Sequence, residues 1–423
     1  MVHRVEKHII KNTHEMYKVI DDYAFKVKNV YNYSNYIIRQ EFISTSKEKQ
    51  VVAEENEKLE DFMKKELPKV TIPKEYDLSK IVSKQDCADG LMAQTVQQTI
   101  KMLYQNWKSF FASIKDYAKN PEKYTGRPKL PNYKDKEKER FVIVFTNQNC
   151  KLKDGYVKFP KVLNQWNLKT KINGKLKQVR IVPKNKQYVV ELVYEKQKAE
   201  DLKDNKRYLG IDIGIDNFAT IGNNVKEKGI ILNGKSLKSI NRYYNKQVSH
   251  FKSVAKQMND SNYTNRMYRI TNRRNNKIND ILHKYIKKVI EYAIAYKCNT
   301  IIVGNNKDWK RECPLSKRVN QSFVGIPHQK FIEMVQYKCE ENGIIFKTTE
   351  ESYTSGTSFL DEELPTKTNY NKKRRIKRGL FKSNDGTLIN SDLNGSYQII
   401  KKVVPNAFAD GIEDVVLHPV RVG

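Results

Sequence analysis

Asp212, Asp392 and the adjacent Glu350 and Glu351 are the residues of this 423-residue chain whose types and surroundings suit chemistry. Asp212 lies inside an apolar run, Tyr208 to Ile215 (YLGIDIGI), between Gly210 and Gly214. A carboxylate buried there costs on the order of several kcal/mol unless it is paired or bound to a cation. Asp392 stands in N-S-D-L-N-G just ahead of an apolar helical stretch, where a second acid faces the first strand. Two acids so placed suit a Mg²⁺-dependent phosphodiesterase, in which two hard cations clamp the attacking and leaving oxygens. The plainer alternative for Asp212 is a strand-edge carboxylate that caps a turn.

The elements that must position these acids follow from periodicity. Tyr208 to Ile215 alternates as a strand, and Asn217 to Ile221 and Gly229 to Leu232 read as two more. A long basic helical stretch follows, then a buried strand (Thr300 to Val303), a helix begun by Pro327 and closed by Gly343, a strand (Ile344 to Thr349) and a last helix from about Asn394 to Val404. This order is that of a ribonuclease-H-like domain, whose parallel strands are joined by right-handed helical crossovers. Such a nuclease places a third acid, a Glu, at the end of its fourth strand. Here Thr300 to Asn306 reads TIIVGNN, and the position is Gly304. The next parallel strand ends in Glu350 and Glu351, and neighbouring strands are only about 4.8 Å apart, so an acid from this strand reaches the same cluster. Their plainer reading is two solvated acids at a strand end.

Upstream, the first ten residues look extended, and apolar residues then recur at helical spacing at Ile20, Tyr23, Val27, Val30, Tyr31, Ile37 and Ile38. Val96, Ile100, Leu103, Tyr104, Trp107, Phe110 and Phe111 form one stripe of a second helix, with Gln94, Gln97, Lys101 and Lys108 off it. Beyond GRPKLP (Gly126 to Pro131) the pattern turns to strands at Phe141 to Phe145, Val179 to Val182 and Tyr188 to Tyr194, with Asp-Gly and Asn-Gly turns between the first two. This is a small β domain, with the helical segment inserted into it.

The chain has 79 Lys and Arg against 48 Asp and Glu, a net charge of +31, with 39% hydrophobic and 10% aromatic residues. That composition supplies a core for two or three domains and argues against disorder and against an ordinary metabolic enzyme. A polyanion, foremost nucleic acid, neutralises such an excess. The start (MVHRVEKHIIK) is charged throughout, and no apolar run approaches the roughly 20 residues of a membrane span, so a soluble protein without a membrane partner is expected. Five scattered cysteines, Cys87, Cys150, Cys298, Cys313 and Cys339, contain no C-x-x-C pair, which points to a reducing cytoplasm and away from a zinc site.

The densest charge lies between Arg242 and Lys288, with twelve Lys/Arg and two acids interleaved with Tyr243, Tyr244, Tyr263, Tyr268 and Tyr285. Arg266, Arg269, Arg273, Arg274 and Lys277 are its candidate phosphate contacts, and the tyrosines suit stacking on unpaired bases. A solvated helix face is the plainer reading of such a run. Lys372, Lys373, Arg374 and Arg375, which head a second basic run, KKRRIKRGLFK, are further candidate nucleic-acid contacts.

AQTVQQTIKML with WKSFF, GRPKLPNYK, FTNQN, GIDIGIDNFAT, the LHK around His283, FIEMVQYKC, SYTS and DLNGSY, in this order, resemble the TnpB family. Its members are RNA-guided DNA nucleases encoded by insertion sequences, related to type V CRISPR effectors and to Fanzor proteins. The resemblance implies an α+β multidomain chain: a β-barrel wedge domain (residues 1–10 and 117–205) with an inserted helical recognition domain (11–116), then an α/β ribonuclease-H-like RuvC domain (206–423) with a basic helical insertion at about 236–298. It implies that Gln97, Thr146 and Asn147 help read a short duplex motif beside the target; amides and hydroxyls suit base edges, although a capped strand end explains the last two equally. Asp212 and Asp392 match the first and last RuvC acids. Two departures stand out. The usual Glu is Gly304, with Glu351 at the E-x-x-T-S position where some relatives carry the acid, and Glu350 as the alternate. The four-cysteine zinc ribbon is also missing, since no Cys follows Cys339 and Ser358 stands where its first ligand is expected.

The resulting expectation is an RNA-guided DNA endonuclease with two Mg²⁺ on Asp212, Glu351 and Asp392, no zinc, a guide RNA and a double-stranded DNA target as partners, and a cytoplasmic, nucleoid-associated location. The rivals are a guided repressor that has lost cleavage and an unguided RuvC-like transposase or resolvase.

Overall fold

The structure is a computed structural model that describes residues 1–57, 65–259, 263–305, 325–409, 411 and 416–422. Asn306 and Cys313 lie outside the described residues, and the four described cysteines are free thiols. Two units divide the chain, residues 1–197 and 198–423.

In the first unit β1 (Val2–Ile10) alternates in burial along its length and pairs antiparallel with β7 (Gln187–Lys196), from Val2 opposite Lys196 to Ile10 opposite Tyr188. With β6 (Lys175–Lys184) and β2 (Ile143–Thr146) they form a sheet of order β1-β7-β6-β2. A second sheet holds β3 (Lys151–Lys153), β4 (Tyr156–Lys158) and β5 (Asn167–Lys169). Its first hairpin turns at Asp154 and Gly155, both at positive φ, as the Asp-Gly signal requires. Among the described residues no backbone ladder joins these sheets into one, so the expected barrel is here two sheets over a shared apolar core.

Between β1 and β2 in the chain come α1 (Tyr17–Asn56), α2 (Glu75–Val82) and α3 (Ala93–Tyr117), the insertion that the periodicity predicted. Val96, Ile100, Leu103 and Trp107 of α3 are buried, while Phe111 is exposed where the stripe outruns the core. The Trp107 indole donates to Asn35 Oδ1 of α1 at 3.0 Å, which satisfies both groups inside the core.

The second unit is built on a six-stranded sheet. Three antiparallel strands, β8 (Tyr208–Ile213), β9 (Asn217–Asn223) and β10 (Ile230–Asn233), lead into two helices, α4 (Lys235–Asn259) and α5 (Asn265–Ala295). Then come β11 (Thr300–Gly304), α6 (His328–Asn342) and β12 (Ile345–Thr349), with β8, β11 and β12 mutually parallel neighbours. A hairpin of β13 (Leu380–Lys382) and β14 (Leu388–Asn390) precedes α7 (Ser391–Val403), and β15 (Val420–Val422) adds parallel to β10. Along β8 the side chains alternate. Leu209, Ile211 and Ile213 join the apolar cluster of α5 and α6, whereas Gly210 and Asp212 face α7. Pro327 and Gly343 flank α6 as the sequence indicated, but α7 begins at Ser391, three residues earlier than expected, because the Asn390 side chain accepts from Asp392 N and Leu393 N.

The segment between β12 and α7 has its own small core of Phe359, Phe381, Ile389, Leu393 and Tyr397. Arg374 ties it together, donating to Glu363 at 2.7 Å and Asn384 at 2.8 Å and lying 3.5 Å from Asp361. Ser358 is fully buried in this segment, with its N–H donating to Glu363.

A candidate carboxylate centre

Asp212 projects from the buried centre of β8 toward the first turns of α7. A Cβ added at Gly395 of α7 would lie 3.0 Å from Asp212 Oδ2, so the absence of a side chain there lets helix and carboxylate approach. Glu351 follows the end of β12 by two residues and turns back across β11. An added Cβ at Gly304 would lie 2.4 Å from its Oε1 and 2.5 Å from its Cγ. The Glu351 side chain and any side chain at position 304 therefore compete for one volume. Glu350, beside it, is exposed to solvent.

The loop that carries Glu351 is anchored from two sides. Thr354 caps it, with its hydroxyl donating to the Glu351 carbonyl at 2.8 Å and its N–H reaching the same oxygen at 3.2 Å. Lys402 of α7 donates to the Glu350 carbonyl at 2.8 Å and to Ser352 Oγ at 3.0 Å. Asp392, in the first turn of α7, accepts from Asn217 Nδ2 at 2.6 Å, and Arg375 stands 3.5 Å from its other oxygen while donating to Ser391 Oγ at 3.0 Å. Asn217, Lys402 and the role of Arg375 escaped sequence reasoning, since each acts through a partner distant in sequence, whereas Thr354 acts on Glu351 only three residues away.

Electrostatics bind the three acids into one cluster. Burial first, then the charges of Glu351 and Asp392, drive the Asp212 carboxyl well above its ordinary range, against the opposing pull of Arg375 and of an N–H from Ile213. Burial pushes Glu351 up to about 7, moderated by a hydrogen bond from the same Ile213 N–H. One guanidinium, acting on Asp392 and Asp212, thus stands against a cluster of three carboxyl groups, an excess of negative charge that a cation relieves. Among the described residues no three His, Cys, Asp or Glu side chains are gathered as a ready-made metal cage. Asp392 is instead turned to Asn217 and Arg375.

The other candidate residues separate into exposed and engaged groups. In the first unit Gln97 and Asn147 are exposed, but the Thr146 hydroxyl donates to Gln94 Oε1 at 2.6 Å and accepts from Gln148 N at 3.3 Å, the capped strand end anticipated as its alternative. Gln94 and Gln148 also bond each other, which places an amide cluster at the end of β2 that the sequence did not single out. In the second unit Arg266, Arg269, Arg273 and Lys277 are exposed along α5. Arg274 is half-buried and donates to Asn241, Asn275 and Gly325. In the later run Lys372 and Lys373 are exposed, Arg374 is held in its ion pairs, and Arg375 points to the acidic cluster. His283, on α5, is exposed. No helix among the described residues is long and apolar enough to cross a membrane.

Comparison with known proteins adds family matches from residue 191 onward. The OrfB_IS605 model, described as a probable transposase, matches residues 191–310, and the Cas12f1-like TNB domain model matches residues 328–399. Among solved structures the chain is similar to a Cas12f1–sgRNA–target DNA complex, at 14% identity over 94% of this chain and 99% of that one, with a TM-score of 0.36. It is also similar to a CRISPR-Cas12f ternary complex (12% identity, 89% and 81% coverage, TM-score 0.37) and to an AacC2c1–sgRNA–extended non-target DNA ternary complex (8%, 93% and 70%, 0.35). No curated protein matches the chain.

Proposed function

Since this chain belongs to a TnpB-like family, we propose that it is an RNA-guided DNA endonuclease, and that Asp212, Glu351 and Asp392 form its RuvC-type catalytic centre. On this reading residues 1–10 and 117–205 are a wedge domain and 11–116 a recognition domain, with Gln97 of the recognition domain and Asn147 of the wedge domain reading the duplex motif, and 206–423 the nuclease. The carrying observation is the shared volume at Gly304: the Glu351 carboxylate lies where a residue-304 side chain would be, beside Asp212. The third acid of the site has changed strands, and glycine at 304 makes room for it.

The donor set fits Mg²⁺. All three side chains offer hard oxygens, and their mutual repulsion with one guanidinium among them calls for further positive charge. When bound, the ions would supply Lewis-acid stabilisation of the phosphodiester and an activated water. The chain's own residues prepare that site. Thr354 and Lys402 fix the loop of Glu351, Asn217 orients Asp392, and Arg375 balances charge while the acids stand without metal. Guide pairing would supply target choice, and the protein would hold the heteroduplex through its backbone.

The test is plasmid cleavage by the complex purified with its co-expressed RNA in Mg²⁺. Glu351→Ala should abolish cleavage and Glu350→Ala should not; cleavage that survives Glu351→Ala overturns the assignment. A second reading, a guided repressor without cleavage, draws on the acids not being gathered into a cage. Target-specific binding with no cleavage in either Mg²⁺ or Mn²⁺ would establish it instead.

A further inference from the structure

A cleft of about 370 Å³ opens between α4 and α5, away from the carboxylate centre. Ser239, Tyr243 and Tyr244 line it from α4, and Arg273, Arg274 and Lys277 from α5, with one isoleucine from each helix. The spacings of i, i+4 on α4 and i, i+1, i+4 on α5 put each set on one helix face. The lining includes no acid, so three cations share one cleft without a carboxylate among its walls.

The cleft has a fixed floor and an unengaged rim. Arg274 donates to Asn241 Oδ1 at 2.8 Å, Asn275 Oδ1 at 2.9 Å and the Gly325 carbonyl at 2.6 Å, and its guanidinium lies 5.4 Å from the centre of the Tyr244 ring. The Tyr244 hydroxyl is within 3.3 Å of Thr271 Oγ1. Those two side chains are already held. At the rim Tyr243 is 62% exposed, and Arg273 and Lys277 are exposed without an ion-pair partner among the described residues. Like charges one helical turn apart repel, so the rim gains when an anion arrives. An exposed aromatic plane beside two unpaired cations matches a group with both a flat ring and a phosphate. The volume is at the small end of ligand sites, about 300–1,000 Å³, which suits one nucleotide and not a helix of them.

We propose that this cleft seats a single unstacked nucleotide of a bound single strand, with the base on Tyr243 and a flanking phosphate on Arg273 and Lys277. The inference deepens the guided-nuclease reading and rests on it for the presence of a strand, but its test reads binding and not cleavage. A chain that never cuts DNA can still pass it.

The full-length protein, stripped of RNA in high salt, is titrated with fluorescent single-stranded RNA and DNA, with the corresponding duplex, and with AMP. Tyr243→Ala should weaken single-strand binding about 5- to 100-fold, and Tyr243→Phe should retain it, because stacking needs the ring and not the hydroxyl. Arg273→Ala combined with Lys277→Ala should lower the slope of log K against log salt by about 0.7–1.4 for single strands. Ultraviolet crosslinking should leave a nucleotide adduct on the peptide containing Tyr243. Unchanged single-strand affinity and salt slope in these variants overturn the proposal, as does an equal loss on duplex. Saturable AMP binding that depends on Tyr243, with strand binding intact, assigns the cleft to a free nucleotide and also overturns it. A Tyr243→Ala protein that melts earlier than wild type is read through the Phe variant and the rim double variant, which leave the ring in place.

Discussion

At the carboxylate centre three acids arrive from β8, from the loop after β12 and from the first turn of α7, and groups far away in sequence constrain them: Asp212 feels Glu351 and Asp392, Asn217 holds Asp392, and Lys402 holds the loop of Glu351. In the α4–α5 pair, a stretch with twelve Lys/Arg and two acids runs mainly along exposed helix faces with few partners. Both regions concentrate like charge, but by different physics. In the centre, burial and close approach raise the cost of each charge, so protonation or a cation must answer it. On the helices, solvent and salt screen the repulsion, and the charge persists without a counterion. A single change should therefore act strongly and non-additively in the first region and weakly and additively in the second.

The largest expected effect is at Asp212. Asp212→Asn should reduce cleavage by at least about 10³-fold, since it removes a hard ligand whose cation contributes several kcal/mol to the transition state. The same change relieves repulsion among buried acids, so the thermal midpoint should hold or rise. A fall in both together would make Asp212 a structural residue and erase the contrast. Next is Gly304→Ala. Its Cβ would meet Glu351 Oε1 at 2.4 Å, so Glu351 must move, with an expected stability loss of about 1–3 kcal/mol and a lost site. Glu351→Ala vacates that space, and the double variant should be more stable than the sum of the single effects predicts; strict additivity in urea unfolding would deny the shared volume.

The third prediction concerns pH. Glu351 is raised from an unfolded value near 4.5 to about 7 in the folded protein. Between these values the folded state holds the extra proton, so metal-free stability falls as pH rises through about 7. Glu351→Gln should flatten that decline and stabilise the metal-free protein by about 1–3 kcal/mol at pH 8, with little difference near pH 4. Because the cation competes with the same proton, Mg²⁺ affinity should increase with pH across about 7. Equal pH dependence in wild type and Glu351→Gln would place the buried charge elsewhere.

Much of this arrangement was legible in the sequence because it is local. Apolar alternation marked β8 and a continuous apolar run marked the fully buried β11, Pro327 and Gly343 bounded α6, and Asp212 and Asp392 lay in recognisable strand and helix-start contexts. The early start of α7 was also written locally, in the capping Asn390. Long-range pairings left no such trace. Nothing in KKRRIKRGLFK says that Arg374 is enclosed by Glu363 and Asp361 while Arg375 faces Asp392, and a strand as short as Val420–Val422 carries no periodic signal. Gly304 shows the limit from the other side. As a letter it is a missing acid, and only with Glu351 packed against it does it become a requirement.

The smallest effects belong to the exposed helix face, where Arg266 and Arg269 reach solvent from α5. Arg266 packs over the Phe251 ring at 5.0 Å, a contact that contributes only about 0.5–1 kcal/mol at an exposed site, and Arg269 makes no ion pair among the described residues. Arg269→Ala should leave the unfolding free energy within about 0.5 kcal/mol of wild type. It should weaken nucleic-acid binding only a few-fold, equally for unrelated sequences, and lower the log–log salt slope by about 0.7–0.9 as one phosphate contact is lost. Arg266→Ala should match it in binding, with a slightly larger stability change from the lost ring contact, and the two slope changes should add. A loss of binding larger than their sum, or one confined to particular sequences, would mean that this face is organised as tightly as the carboxylate centre, with positions tuned to one another and not to the phosphate backbone in general.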